Sequence, residues 1–246
     1  MSDYSDLLSE LSNRIRIKIL FMLKEGIYSL TEIAEHIGDI SKAEVSRHLS
    51  RLLERGLIQK EQPSGRKYEI NSFGDTVISI FSPIDFLFRY SEYFKKHRIS
   101  DLPRSLIREI DALKNCKLIK GAGDVMHRVK AFNSSLAQEK WVMISTAFPF
   151  ETADVKKAHY IINSDILEQK DDRKKNHPNT QYRIRVLDTI PIAIAFNSLG
   201  EGIISFPHIR EDKPDYSETL VITDKKALTF LKKTWNYFWH QAEVYS

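Results

Sequence analysis

The sequence has 246 residues, an ordinary balance of 42% hydrophobic and 28% charged residues, and a formal net charge of +4. This length predicts two domains, and no apolar run approaches the roughly 18 residues that span a bilayer, so we expect no membrane association. The first residues lack the basic stretch of a secretory signal, which predicts a cytoplasmic protein. The one cysteine, Cys116, argues against an internal disulfide and against a cysteine-rich metal site, and we expect no cofactor.

Positive charge is concentrated in one short stretch rather than spread along the chain. Residues 1–40 hold four lysines and arginines against seven acidic residues, whereas residues 41–67 hold seven against three. A local basic stretch of this kind is typical of a surface that meets a polyanion such as nucleic acid.

The first 56 residues predict three helices. Apolar residues recur at helical spacing over residues 7–23, which indicates one long amphipathic helix that closes at Gly26. Residues 29–38 predict a second, short helix. Ser41 caps a third helix that turns an apolar face inward and ends at Gly56. This order is that of a helix-turn-helix.

The outward face of the third helix carries small, polar and basic residues. Such a face lets a helix approach base edges, and a guanidinium on it can contact guanine or phosphate. Arg47 is the best single candidate, whereas Glu54 and Arg55 are expected to lie outside the groove. The residues of this helix predicted to contact DNA are Ser41, Lys42, Ala43, Ser46, Arg47, Ser50 and Arg51.

A β-hairpin with a basic tip follows the third helix. Residues 57–62 and 66–70 read as two strands, and the Pro-Ser-Gly sequence at residues 63–65 reads as the turn between them. This arrangement is a wing, on which Arg66 and Lys67 would reach phosphates beside the groove.

This segment resembles the winged-helix regulators of the ArsR-like and MarR-like families, most visibly in AEVSRHLSRLLERGLIQKE at residues 43–61. The resemblance implies a homodimer that places two recognition helices in successive major grooves of a pseudo-palindromic operator on double-stranded DNA. The cysteine clusters of the metal-sensing members are absent from the sequence, so we do not expect a metal sensor.

The next segment predicts two helices. Asn71 or Ser72 can cap the first, which runs to Phe81, and Pro83 begins a second, strongly aromatic helix over residues 84–97. Two interpretations of this aromatic stripe stay open: packing against the chain's own domains, or a dimer helix. We assign residues 1–81 to the winged helix-turn-helix domain, 82–100 to a connector or dimerisation helix, and 101–246 to an effector-sensing domain.

Helical and strand patterns alternate in the last 146 residues, which is typical of an α/β domain with a partly parallel sheet. Helices are predicted over 105–114, 124–138 and 154–169, with a polar loop over 171–180 and a last helix that begins at Asp224. Strands are predicted over 116–120, 141–145, 183–187, 192–196, 203–206 and 220–223. The predicted fold class is therefore an α+β winged helix-turn-helix domain followed by an α/β effector domain with a mixed sheet.

The C-terminal region is similar to the effector domain of archaeal regulators named for methanogenesis regulatory protein, and more distantly to TrmB-like regulators. The segments that carry this similarity are DLPRSLIREIDAL at residues 101–113, the Gly-Ala-Gly-Asp turn at 121–124, and residues 190–239. The resemblance implies an archaeal source and an effector-sensing role.

The predicted effector site is the turn at residues 121–124, just before the second predicted helix of the C-terminal domain. Backbone amides at a helix start together with a guanidinium suit an anion, which makes Gly121, Gly123, Asp124 and Arg128 the candidates. A catalytic role is not expected, because the sequence contains no GxSxG, HExxH or CxxC, and none of its eight histidines has a lysine two positions later.

The sequence thus predicts a sequence-specific transcription regulator whose operator affinity is modulated by a ligand or partner bound to the C-terminal domain. An alternative stays open, in which that domain is a protein-interaction or dimer scaffold without a small-molecule ligand.

Overall fold

The predicted winged helix-turn-helix is present in the computed structural model of the chain, which describes residues 4–38, 40–145, 155–169, 179–222 and 224–245. The chain divides into two compact units, Met1–Ser82 and Pro83–Ser246. Each unit has a buried apolar core of its own. They are described separately below.

Four complete helices, the first part of a fifth and a three-stranded sheet form the described part of the first unit. The helices are α1 (Tyr4–Ser12), α2 (Arg14–Glu25), α3 (Leu30–Ile37) and α4 (Lys42–Glu54). The strands are β1 (Tyr28–Ser29), β2 (Ile58–Lys60) and β3 (Lys67–Ile70), which pair antiparallel in the order β1-β3-β2. Helices α3 and α4 are the helix-turn-helix, and β2 and β3 are the wing.

The single long N-terminal helix predicted from the sequence is wrong, because the structure breaks it at Asn13. The Asn13 side-chain oxygen accepts hydrogen bonds from the backbone N–H groups of Ile15 (3.0 Å) and Arg16 (3.1 Å), which makes Asn13 the N-cap of α2. An N-cap residue is not itself helical, so the backbone turns at Asn13. The apolar residues keep their helical spacing across this turn, which is why the sequence pattern indicates one helix.

Helix α5 (Ser72–Arg89) follows the wing, and Asn71 is its cap. The Asn71 side chain accepts from the Gly74 N–H at 2.8 Å and donates to the Gly56 carbonyl at 2.7 Å. Position 74 has to be glycine, since a Cβ there would lie 1.8 Å from the Leu57 carbonyl oxygen. Helix α5 is therefore fixed to the end of α4 and the start of the wing.

The predicted start of a new helix at Pro83 is also wrong, because Pro83 lies inside α5. The fixed φ of proline is already helical, but the ring removes one backbone hydrogen bond and crowds the carbonyl one turn earlier, which costs about 3 kcal/mol. Helix α5 ends at Arg89 and the short α6 (Ser91–Phe94) follows. Phe86 and Tyr93, both from the aromatic stripe, are buried in the core of the second unit.

The second unit is built on a mixed, partly parallel sheet, as predicted, and the described residues give it eight strands where six were predicted. Its strands are β4 (Lys117–Lys120), β5 (Glu139–Ile144), β6 (Lys157–Ile162), β7 (Gln181–Val186), β8 (Ala193–Asn197), β9 (Gly202–Ser205), β10 (Glu218–Ile222) and β11 (Glu243–Val244). The spatial order is β11-β7-β6-β5-β8-β9-β10-β4. Strands β5, β6 and β7 are parallel neighbours, and the other pairs are antiparallel.

Helices cover both faces of this sheet. Besides α7 (Arg104–Ile107) and a 3₁₀ turn (Ile110–Leu113), the main helices are α8 (Ala122–Asn133) and α9 (Lys225–Gln241). Alternate residues of the strands enter two separate cores, one that includes α9 and one that includes Phe132 of α8.

The helix predicted over residues 154–169 is wrong. The structure has strand β6 there, followed by a 3₁₀ turn (Ser164–Gln169). Strand β6 lies between β5 and β7, and five of its six residues are buried. A strand covered on both faces reads as a continuous apolar run, which sequence periodicity cannot separate from a buried helix. Residue 154 and most of the predicted polar loop, 171–178, lie outside the described residues.

Cys116 is buried just before β4, and burial together with the charge of Asp224 raises the pKa of its thiol to about 12. The thiolate is the form that reacts with alkylating reagents. At pH 8 we therefore expect iodoacetamide to label the folded chain at least about a hundredfold more slowly than the unfolded chain. Mass spectrometry of timed samples with and without denaturant measures both rates, and equal rates would contradict the buried position.

Candidate nucleic-acid interface

Helix α4 turns its polar face to the solvent, and most of the predicted DNA contacts lie on it. Val45, Leu49 and Leu52 are buried in the first core, which fixes the rotation of the helix. The predicted contacts that are exposed on the opposite side are Lys42, Ala43, Ser46, Arg47 and Ser50. The structure therefore brings these five side chains together on one accessible surface.

Besides its predicted contact with DNA, Ser41 caps the start of α4. Its backbone N–H donates to Glu44 Oε2 at 3.0 Å, and its hydroxyl oxygen accepts from the Glu44 N–H at 3.2 Å. This reciprocal pair is a capping box, which satisfies two donors at the helix start. Ser41 and Glu44 therefore fix the end of the helix that carries Ala43 and Arg47.

Arg51 binds a buried carboxylate that the sequence analysis missed. Arg51 Nη2 donates to Glu10 Oε1 at 2.7 Å, while Arg16 Nε lies 2.7 Å from Glu10 Oε2 and Arg55 Nε lies 3.6 Å from Oε1. The Glu10 side chain is fully buried, and about half of the Arg51 side chain is exposed. One carboxylate thus joins α1, α2 and the recognition helix.

The charge of Glu10 is stabilised by its neighbours. Burial alone raises the pKa of this carboxyl, but the hydrogen bond from Arg51 and the positive charges of Arg16, Arg51 and Arg55 outweigh burial, so its pKa lies below the ordinary value. A carboxylate surrounded by three guanidiniums leaves an excess of positive charge on α4. The signal in the sequence was an acidic residue on an apolar helix face, between Leu7 and Leu11.

His48 lies on the flank of α4, partly buried. Burial and the charge of Arg16 lower the pKa of its imidazole, so the ring is neutral near pH 7. Its Nδ1 is buried without a hydrogen-bond partner among the described residues. His48 therefore adds no positive charge to the exposed face.

The wing presents its two predicted phosphate contacts to the solvent. Arg66 and Lys67 are both exposed at the end of the hairpin, and Lys67 begins β3. The Gly65 N–H donates to the Gln62 carbonyl at 2.8 Å, which closes the turn before them. The wing and α4 thus form the two basic parts of one unit.

Three of the four predicted effector residues lie at the start of α8, and the fourth lies within the same helix. Gly121, Gly123 and Asp124 are exposed at the start of α8, but the Gly121 N–H already donates to the Ser217 carbonyl at 2.8 Å. Arg128 lies about one helical turn beyond Asp124, with its Nη2 3.7 Å from Glu201 Oε1. Arg128 thus has an acidic neighbour, and the effector assignment stays a prediction.

Known proteins match the chain in two ways. Residues 13–60 match the family model described as "Bacterial regulatory protein, arsR family". Among solved structures, the chain is similar to that of "TrmBL2, an archaeal chromatin protein", with a TM-score of 0.40, 13% sequence identity and coverage of 92% of each chain. No curated protein matches the sequence. The family match runs from Asn13 to the end of β2 and so includes the whole of α4.

Proposed function

We propose that this chain, whose residues 13–60 are an arsR-family helix-turn-helix domain, is a sequence-specific transcription regulator of the cytoplasm. The observation that carries the proposal is the exposed face of α4, where a capped helix presents small residues and Arg47 together. Small side chains such as Ala43 and Ser46 let a helix lie deep in a major groove, and Arg47 there reads guanine.

The wing supports α4 in this proposal. Arg66 and Lys67 contact phosphates beside the groove, and these contacts add affinity that depends on salt and not on base sequence. Arg51 faces the same polyanion from the far half of α4, in the geometry that its ion pair with Glu10 imposes. In this proposal α4 contacts the bases and the wing contacts the phosphates.

We propose a homodimer that pairs through α5. The apolar residues Phe73, Val77, Ile80, Ile84 and Leu87 follow the alternating spacing of four and three that is typical of a coiled-coil seam. Several are exposed, with 67% of Ile80 and 52% of Ile84 accessible. A second copy of the same helix is the simplest partner for such a seam, because a symmetric dimer also supplies two recognition helices.

An aspartate at Ile84 should therefore break the dimer. We expect the wild-type chain to sediment with the mass of two chains and Ile84→Asp with the mass of one, because an unpaired carboxylate in an apolar seam is costly. Leu136→Asp, which changes a still more exposed apolar residue elsewhere, is the control. A single-chain mass for the wild type, or equal dissociation of the control, would contradict this pairing.

The C-terminal unit has a regulatory role in this proposal and not a catalytic one. A ligand that binds one arrangement of the dimer better than another shifts the spacing of the two recognition helices and so the affinity for the operator. The proposal competes with a scaffold role, in which that unit binds only protein.

Selection of bound duplexes from a random DNA pool tests the reading function. We expect the full chain to enrich an inverted repeat whose half-sites lie about one helical turn apart, roughly 10 to 11 base pairs. Arg47→Ala should lose the preference for one base pair in each half-site and keep the spacing. Enrichment of no motif would refute sequence-specific reading.

A further inference from the structure

A small cavity of about 40 Å³ lies inside the second unit, between α8 and the sheet. Val129 and Phe132 of α8 line one side, and residues of β5, β8, β9 and β10 line the other. Among the described residues, no charged side chain lines it. A ligand of this cavity is therefore neutral and mostly apolar.

The cavity exists because the strands carry small residues on the face below α8. Ala193, Ala195, Ser205 and Thr219 line it. On the opposite face the same strands carry large side chains, namely Phe196, Ile204 and Leu220. A core normally fills such space, since an empty cavity destabilises the fold. Because four small residues together create the cavity, it does not depend on the conformation of a single side chain.

One hydroxyl in the cavity has no hydrogen-bond partner among the residues that the structure describes. Ser205 is 5% exposed, and its hydroxyl makes no hydrogen bond to the other described residues. The neighbouring hydroxyls are engaged: Thr219 Oγ1 donates to the Ile204 carbonyl at 3.1 Å, and Tyr216 Oη accepts from the Ser145 N–H at 3.0 Å. Buried hydroxyls are normally hydrogen-bonded, so Ser205 is the group that a ligand would satisfy.

We propose that this cavity binds a small neutral molecule with an apolar body and one hydroxyl or carbonyl group, which pairs with Ser205. The inference rests on the proposed function for its consequence, because the bound molecule would be the regulatory effector. A volume of about 40 Å³ admits only a few heavy atoms, since one water-sized probe needs roughly 10 to 15 Å³. This ligand class differs from the anion predicted from the sequence.

Methyl NMR of the full-length chain tests the proposal with 1-butanol and 1-chlorobutane as probes. We expect both to give saturable shifts of the Val129 and Ala195 methyls, with a dissociation constant that is roughly millimolar. Ser205→Ala should weaken the binding of 1-butanol roughly 3- to 10-fold and leave the binding of 1-chlorobutane unchanged. The reason is that only the alcohol forms a hydrogen bond with the Ser205 hydroxyl. Ala195→Leu should abolish both by filling the space.

Ala131→Leu is the matched control, since it adds the same atoms on the exposed face of α8. Shifts that never saturate, or binding of 1-butanol that is unchanged in Ser205→Ala, would overturn the proposal. If Ala195→Leu does not fold, the comparison of two probes in Ser205→Ala decides alone. Operator affinity with the cavity saturated separates the two ideas, because an unchanged affinity would refute ligand control and leave the cavity assignment intact.

Discussion

We expect the substitution Glu10→Gln to lower the free energy of unfolding of the N-terminal domain by about 3 to 5 kcal/mol, the usual effect of breaking a buried ion pair on one side. The carboxylate is fully buried and its two oxygens contact Arg16 and Arg51, and glutamine keeps the shape but removes the charge. Arg16, whose side chain is 7% exposed, would then be a buried cation without its counter-ion.

The chain has two compact units with separate cores, so a single global transition is not assumed. Hydrogen-exchange rates of the buried amides of α2 and α4 report the stability of the N-terminal domain directly. Glu25→Gln, which removes an exposed carboxylate at the end of α2, is the matched control and should change little. If both variants exchange alike, the Glu10 cluster does not stabilise the domain.

The pH dependence of the stability should also differ between Glu10→Gln and the wild type. Because the pKa of Glu10 lies below the ordinary value in the folded state, the unfolded chain binds its proton at higher pH than the folded chain does. Stability therefore rises with pH in this window and falls as the pH drops below about 5. Glu10→Gln should lose less stability than the wild type between pH 5 and pH 3, and a parallel decline would contradict the lowered pKa.

The second large effect is expected at the recognition helix. Arg47→Ala should weaken binding to the operator by about 1 to 3 kcal/mol and relax the preference at one base pair, because the lost contact reads a base. Lys67→Ala on the wing should weaken specific and scrambled DNA similarly and reduce the salt dependence, because the lost contact is to a phosphate.

Titrations of operator and scrambled duplexes at several salt concentrations separate these two roles. Arg183→Ala, which removes an exposed arginine of the C-terminal unit, controls for net charge. If the ratio of operator affinity to scrambled-duplex affinity stays at the wild-type value in Arg47→Ala, then Arg47 does not contact the bases.

The helix-turn-helix was predictable because its signals are local. Ser29 and Ser41 each begin a helix with a capping box, and Gly56 ends α4 with a positive φ of 64°. The apolar residues between these signals follow one helical period and pack in one core. In that segment, local preference and tertiary packing agree, so the boundaries can be read from the chain.

The sequence analysis missed two buried charges, Glu10 and Lys140, because only the assembled fold buries them. Glu10 binds Arg51, 41 residues away. Lys140 is fully buried and donates to the Asn133 carbonyl at 2.6 Å, with its pKa lowered to about 8 by burial despite the charge of Glu201. A sequence pattern places both charges on a surface, since only the assembled fold supplies their partners.

The measurement that tests the central claim most directly is fluorescence-anisotropy binding of the full chain to DNA from upstream of its own gene and to a scrambled duplex, at several salt concentrations. At physiological salt we expect a preference of at least roughly a thousandfold for the upstream DNA. Weak binding to both duplexes that falls steeply with salt would contradict a sequence-specific regulator and would leave only charge attraction to the DNA backbone.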